Sequence, residues 1–369
     1  MNRRKALLAC SLGALLCPTE FARATARPPR VVFLNPGEAK ERGTGQHWQL
    51  VSQFMTIAAK TFDMQLEVLY AERDHLLMMR QADEVARRID APDYVVIVNE
   101  KMAALQMLRS LAHSPAKVMV IHNDLTARQR REAGNERQQI PNWIGTVTSN
   151  ATRGAYRLME YLCQRLGGDG PRVIGITGDP NTPVSLERAA GVDAYLSRVP
   201  HARTCQLVFS DWSYADSEQK TRVLLARYPD ANLLWAANDS MTLGALSAVN
   251  ERGARVLVGG VGALQGALDS VAKGGLQAMV GGDYFIGAWA MVLLYDYHHG
   301  RDFAISGGAR QTLDYLTIVH RGNVARFSEA VFDRSNALNF RQFSKVAGSL
   351  SGQYDFSLAR LLGLSASAA

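Results

Sequence analysis

Two tryptophans, an arginine, two asparagines and two carboxylates stand just beyond apolar runs of this 369-residue chain. Trp48 begins a helical pattern after the loop that leaves the first run. Glu38 lies in that loop, after Pro36-Gly37. Asn123 closes the fourth run in Ile121-His122-Asn123-Asp124. Arg188 lies in Glu187-Arg188-Ala189-Ala190-Gly191, beyond the sixth. Trp212 follows the seventh in Ser210-Asp211-Trp212-Ser213, Asn238 follows the eighth, and Asp283 lies just past the tenth. Indole faces offer flat apolar surfaces for a ring. A guanidinium is a rigid fork that fixes two oxygens, and carboxylates and amides serve hydroxyl groups. The set suits a small, sugar-like molecule that is held rather than converted. Each residue also has a plainer use. The tryptophans fill a core, Asn238 caps a helix, Asn123 makes an Asx turn, Arg188 forms a salt bridge and Glu38 is a solvated loop carboxylate. His47, Asn99 and Glu100 are weaker candidates.

Catalytic patterns are sparse. The chain has no Gly-x-Ser-x-Gly elbow, no Walker A loop and no paired-histidine metal motif, so no nucleophile or metal centre is expected. Gly260-Val261-Gly262-Ala263-Leu264-Gln265-Gly266 follows an apolar run and opens a helical stretch, as a dinucleotide loop would. Its third glycine comes one residue late and its unit is the ninth rather than the first. No cofactor is expected.

The residues above must be positioned by the elements before them. Apolar runs fall at 30–34, 66–70, 94–98, 117–121, 143–147, 172–176, 206–209, 233–236, 256–259 and 277–280. They lack clean alternation, which marks strands covered on both faces. Amphipathic helical patterns lie between them, including 48–62, 74–88, 153–166 and 240–252, with Asp74 and Ser240 as N-cap candidates. Strand–helix repetition of this kind builds α/β doubly wound parallel sheets. Ten strands divide best into two sheets, with the break near 147–150. The expected lobes are 30–147 with 284–314, and 148–283 with 315–369, the latter carrying an irregular tail. Ligands bind beyond the carboxyl ends of such strands, so two facing sheets define a cleft there.

Three segments carry a family resemblance. Ala236-Ala237-Asn238-Asp239-Ser240-Met241-Thr242-Leu243-Gly244-Ala245 runs from a strand end into a helix. Arg188-x-x-Gly191 opens a helix after the sixth run. Gly259-Gly260-Val261-Gly262 precedes a short helix and Lys273-Gly274-Gly275. In order and spacing, over about residues 30–320, the chain resembles the type I periplasmic sugar-binding proteins, the ribose-binding protein among them. Asn35-Pro36-Gly37-Glu38 and Gly260-Val261-Gly262 are also similar to the branch containing the autoinducer-2 receptor. The resemblance implies two Rossmann-like lobes joined by a hinge, stacking roles for Trp48 and Trp212, and polar ligand contacts from Asn123, Arg188 and Asn238. It implies a non-enzymatic solute-binding component of an ABC-type importer, with a membrane permease as partner. The alternative it leaves is a sensor that presents its closed form to a membrane kinase, cyclase or chemoreceptor. The chain departs from the pattern at Gly262 and Gly281, where the family has polar ligand contacts, and Asp283 is expected to take over the second role.

The ends and the bulk composition fit an exported protein. Arg3, Arg4 and Lys5 precede an apolar stretch at 6–17, too short for the ~20 residues a bilayer span needs, and Ala24-Thr25-Ala26 has the form of a cleavage site. Residues 1–26 are therefore expected to be a signal peptide cut after Ala26, with no direct membrane insertion by the mature chain. Its removal takes away four basic residues and one acidic one, so the formal charge falls from +7 to +4. That mild charge, with no basic run interleaved with aromatics, argues against nucleic acid as a partner. A sugar-responsive repressor is disfavoured because residues 1–30 cannot form a helix-turn-helix. Cys163 and Cys205 would remain, expected as free thiols although an oxidising compartment permits a disulfide. A monomer is expected.

Overall fold

A computed structural model describes residues 27–167, 170–348 and 352–363. The expected signal peptide at 1–26 lies outside the described residues. The strands are β1 (Arg30–Asn35), β2 (Gln65–Tyr70), β3 (Tyr94–Val98), β4 (Lys117–Ile121), β5 (Trp143–Ser149), β6 (Arg172–Thr177), β7 (Arg203–Phe209), β8 (Leu233–Ala236), β9 (Leu257–Gly262), β10 (Ala278–Gly281), β11 (Arg310–Leu313) and β12 (Thr317–His320). The helices are α1 (His47–Thr61), α2 (His75–Ala86), α3 (Ala104–Leu111), α4 (Ala127–Ala133), α5 (Ala151–Leu166), α6 (Pro183–Leu196), α7 (Tyr214–Arg227), α8 (Asp239–Arg252), α9 (Gln265–Lys273), α10 (Ile286–His298), α11 (Val324–Ser328) and α12 (Leu358–Leu362).

The strands form two six-stranded sheets, in orders β11-β5-β4-β3-β1-β2 and β12-β10-β9-β8-β6-β7. All pairings are parallel except β10 with β12. Every residue of β3 and β5 is buried, whereas β2 and β7, at the sheet edges, are only partly covered. This is why the central runs read as unbroken Val/Ile stretches. The fold is the two-lobed α/β arrangement expected. The ten apolar runs account for β1–β10. The two short strands β11 and β12 were not among them.

The chain passes between the sheets three times: after β5, after β10, and between β11 and β12. Helix α10 returns to the first sheet and packs along α1, where Phe54 stacks on Tyr284 and Phe285. The tail was assigned to the second lobe from sequence. In the structure it reaches the first, because its polar backbone finds a buried acceptor there. Asp296 of α10 accepts from Ser344 Oγ (2.5 Å), the amides of Lys345 (2.7 Å) and Val346 (3.2 Å), and Tyr354 OH (2.8 Å). Phe340, Phe343 and Phe356 close around Trp289 beside it.

Helix starts follow local chemistry. Asp74 caps α2 through the amide of Leu76. Ser240 does not cap α8. Asn238 does so, accepting from the amide of Met241 at 2.8 Å, because its extended backbone sits just outside the first turn while Ser240 is already inside it. Cys163 and Cys205 are free thiols.

Candidate functional site

The carboxyl ends of both sheets face one another across a void of about 590 Å³, counted with its open mouth. From the first lobe, Thr44, His47, Trp48, Arg73, Glu100, His122 and Asn123 reach it. From the second come Thr182, Val184, Arg188, Trp212, Asn238, Asp239, Val261, Gly262 and Leu264. The lobes touch around the void. The amide of Val184 donates to Asn123 Oδ1 at 3.1 Å, and that of Tyr214 to the Gly43 carbonyl at 3.4 Å.

Five of the seven residues singled out from sequence line this void: Trp48, Asn123, Arg188, Trp212 and Asn238. Trp48 and His47 stand edge to face with centroids 4.9 Å apart. Each also meets His122, at 5.0 and 5.1 Å. Trp212 forms the opposite aromatic wall. Its ring fills the space a side chain at Gly178 would need, the nearest atom lying 2.0 Å from where a Cβ would be. Arg73, His122 and Trp212 all have φ between 63° and 73°. Left-handed backbone costs non-glycine residues of order 1–3 kcal/mol, and such residues gather at binding and switch sites.

Polar atoms divide into spent and unspent. Asn238 is spent, since its amide nitrogen donates to the Trp212 carbonyl while its oxygen caps α8. Asn123 keeps its amide nitrogen without a partner, and so do His47 Nε2, His122 Nδ1, Arg188 Nε, Trp212 Nε1 and Thr182 Oγ1. All six belong to residues lining the void. Buried polar atoms are costly unless paired, and these six are the groups the lining can offer to a ligand.

Asp283 lies behind the void, fully buried. Arg188 Nη2 donates to its Oδ2 at 2.6 Å, and His122 Nε2 lies 3.3 Å from the same oxygen. Ser149 Oγ donates to Oδ1 at 2.7 Å, and Tyr315 OH to the Asp283 carbonyl at 3.2 Å. Ser149, Asp283 and Tyr315 stand on the three crossings. This residue therefore ties the crossings together and receives one side chain from each lobe. Burial pushes its carboxyl up, but the neighbouring charges of His122 and Arg188 outweigh burial and hold it well below the usual carboxylate range. Arg188 spends Nη1 on the Ala237 carbonyl at 2.6 Å, so only its Nε faces ligand unpaired. Asp283 acts on the site through Arg188 and His122 and does not line the void.

Glu38 also stays off the void. Its carboxylate accepts from the amide (3.1 Å) and Nε (3.2 Å) of Arg42 and from Thr44 Oγ1 (3.2 Å), which pins the loop before α1. Asn99 is occupied with Asp124, Gln129 and Ala104.

Arg73, Thr182 and Asp239 were not singled out from the sequence, and Glu100 stood only among the weaker candidates. Glu100 pairs with Arg73 at 3.0 Å. Its place at the end of β3 was visible in the sequence, and Asp239 is the neighbour of Asn238. Burial drives His47 down to about 3 and raises Asp239 to about 7. His47, His122 and Asp283 bring ligand atoms within 4.8 Å of one another, a spacing that could admit a metal ion. Both carboxylate oxygens are already engaged, and the Arg188 guanidinium beside them opposes a cation.

The chain is similar in sequence and fold to known proteins. Residues 40–302 match the family model described as a periplasmic binding protein domain. A periplasmic sugar-binding protein from Pseudomonas fluorescens is 32% identical, with a TM-score of 0.80 over 90% of this chain and 99% of that one. The ribose import binding protein RbsB of Haemophilus influenzae is 24% identical over 227 residues, 56% of this chain and 76% of the relative. The xylitol-binding protein of Mycolicibacterium smegmatis is 26% identical over 144 residues, 38% of this chain, and the match spans only 41% of that relative. The facing sheets, the wall residues that Arg188-x-x-Gly191 and Asn238 place there, and these likenesses agree: the chain belongs to the periplasmic binding protein domain family, as a non-enzymatic solute-binding protein of the type I, ribose-binding-protein-like kind.

Proposed function

We propose that this chain is the periplasmic solute-binding component of an ABC-type importer, closing two lobes over an uncharged sugar-like molecule and presenting the closed form to a membrane permease. The observation that carries the reading is the void itself. It has aromatic walls at Trp48 and Trp212 and six unpaired buried polar atoms. Its two arginines are already matched by carboxylates, Arg73 by Glu100 and Arg188 by Asp283. A net charged ligand would upset that balance, whereas a polyhydroxylated one completes it. Nothing in the site favours the alternative of a sensor for a membrane kinase, cyclase or chemoreceptor.

Ligand bridging the lobes shifts the hinge equilibrium toward closure. The moving bodies are taken as 30–147 with 284–314 and the tail docked on Asp296 and Trp289, and 148–283 with the remainder of 315–369, turning about the three crossings, as a monomer. Residues 1–26 serve as the export signal, cut after Ala26. Fusing residues 1–30 to a reporter tests that step, and cytoplasmic retention would undo it. The reading as a whole is tested by a thermal-shift and tryptophan-fluorescence screen of D-ribose, L-arabinose, D-allose, xylitol, myo-inositol, nucleosides and furanone-type signals. The expected result is micromolar or tighter binding of a sugar or polyol. Binding confined to furanone-type signals would favour the sensor.

A further inference from the structure

The second lobe holds a carboxyl that the mechanism above does not use. Asp239, the first residue of α8, is 4% exposed and lines the void. Its Oδ1 accepts from the Leu264 amide at 2.7 Å. The two other carboxylates in or behind the site have cations, Glu100 with Arg73 and Asp283 with Arg188. Asp239 has no ion pair among the described residues. A buried carboxyl without a cation is expensive, and burial raises it to about 7, with the backbone amides of Leu264, Asp239 and Ala263 and the more distant Arg188 charge working against that rise.

Gly262 explains how the carboxyl fits. β9 leaves the sheet as Val261-Gly262-Ala263-Leu264 and offers no polar side chain to the void. A Cβ at position 262 would lie 1.6 Å from Asp239 Oδ2, and φ there is +132°. Any residue but glycine would expel the carboxyl. One strand therefore gives up its side chain so that a carboxyl from the neighbouring unit can occupy that place.

We infer that Asp239 is a specificity-determining contact of the cleft, meeting a ligand hydroxyl from the site that a side chain at position 262 would otherwise fill. The inference rests on the sugar-like reading of the void. It adds that the ligand carries a hydroxyl, and not an apolar or anionic group, on the face turned to α8. A carboxyl there accepts from a hydroxyl when ionised and donates to one when protonated, so neutral polyols are served at either state. A carboxylate ligand would meet a like charge.

The test is tryptophan-fluorescence titration of wild type, Asp239→Asn and Asp239→Ala with D-ribose, L-arabinose, D-allose, xylitol and myo-inositol, with a thermal melt of each variant. Asparagine keeps an oxygen for the Leu264 amide and removes the carboxyl. The expected result is a loss of about ten- to hundredfold in affinity for the tightest sugar, the scale of one charge-assisted hydrogen bond. A changed rank order among the sugars should accompany it, with a melting temperature no lower than wild type for Asp239→Asn. Equal affinity and unchanged order in both variants would overturn the inference and leave the proposed function standing. So would a lowered melting temperature with unchanged order, which marks a structural role only. Failure of the wild type to bind any of the five would overturn the proposed function, and this inference with it.

Discussion

Breaking the pair between Arg188 and Asp283 should cost far more than removing two surface charges. Arg188 is 6% exposed and Asp283 not at all, and they meet at 2.6 Å. Removing one partner of a buried pair leaves an uncompensated charge and costs about 3–5 kcal/mol. For a unit of 150–250 residues, each kcal/mol moves the melting point by about 2–4 °C. Arg188→Met and Asp283→Asn should therefore each lower it by roughly 6–20 °C. The double variant is neutral at both positions and should recover much of the loss, a coupling of about 2 kcal/mol or more. The assay is circular-dichroism melting of the four proteins without ligand. The sign of the pH effect follows from the depressed carboxyl. Its stabilisation is fully present above the unfolded value near 3.9, and is lost only as pH falls through the lower folded value. The four melts are therefore compared at pH 7.5, well above both carboxyl values. Single variants that melt with the wild type, or effects that add within about 0.5 kcal/mol, would refute the role of this pair. The sequence offered Arg188 as a fork for two ligand oxygens. With both Nη atoms bonded to protein, its loss is now expected to weaken folding as well as binding.

Three further outcomes follow from the buried groups. His47 is held neutral in the fold, with its value near 3 against an ordinary 6.5, so the unfolded chain takes up a proton first as pH falls. Stability should drop below pH 6.5 by up to about 1.4 kcal/mol per unit, and urea unfolding of His47→Asn should show a shallower fall. An unchanged slope would contradict this. Asp239 works in the other direction, since a raised carboxyl loses stability as pH rises from about 3.9 to about 7. Its nearest electrostatic neighbours are Arg188 and the Tyr284 hydroxyl. Asp239→Asn should accordingly gain on wild type across that window and run parallel to it above pH 7.5, read by melting at half-unit steps. Asp296→Ala strands four donors of the tail and should destabilise by about 2–4 kcal/mol; limited proteolysis should then cut near residue 345 first, and an uncut tail would count against the docking.

Much of the architecture could be read from the sequence because a strand buried on both faces has nowhere to place a polar side chain. Tyr94–Val98 and Lys117–Ile121 announce themselves for that reason. Arg310–Leu313 and Thr317–His320 do not, since each is four residues long, lies at a sheet edge and has too few apolar residues to form a run. The same logic found Trp48, Asn123, Arg188, Trp212 and Asn238, which the ends of strands must deliver to the cleft. It could not separate a side chain that faces the void from one spent beside it. Asn238 looks like a ligand amide in sequence, yet both its polar atoms are occupied. Asp283 and Glu38 were reasonable candidates, but their partners come from residues distant in the chain or from a loop whose path no periodicity encodes. Gly262 read as a missing contact. That Asp239 occupies its place depends on two adjacent strand–helix units packing to within atomic contact, which no spacing rule reports.

The order of the elements along the chain has a consequence for how the molecule is made. The first sheet contains β1 to β5, but its outer strand β11 and the covering helix α10 come only after all of β6 to β10. Its tail contacts at Asp296 come later still. Neither lobe is a continuous piece of polypeptide, and neither can close its core while the last quarter of the chain is missing. Non-local pairing of this kind slows folding and leaves long-lived open forms. A chain cut at residue 300 would therefore yield two unfinished lobes instead of one finished lobe, and an elongating chain would stay open until its final hundred residues had been added.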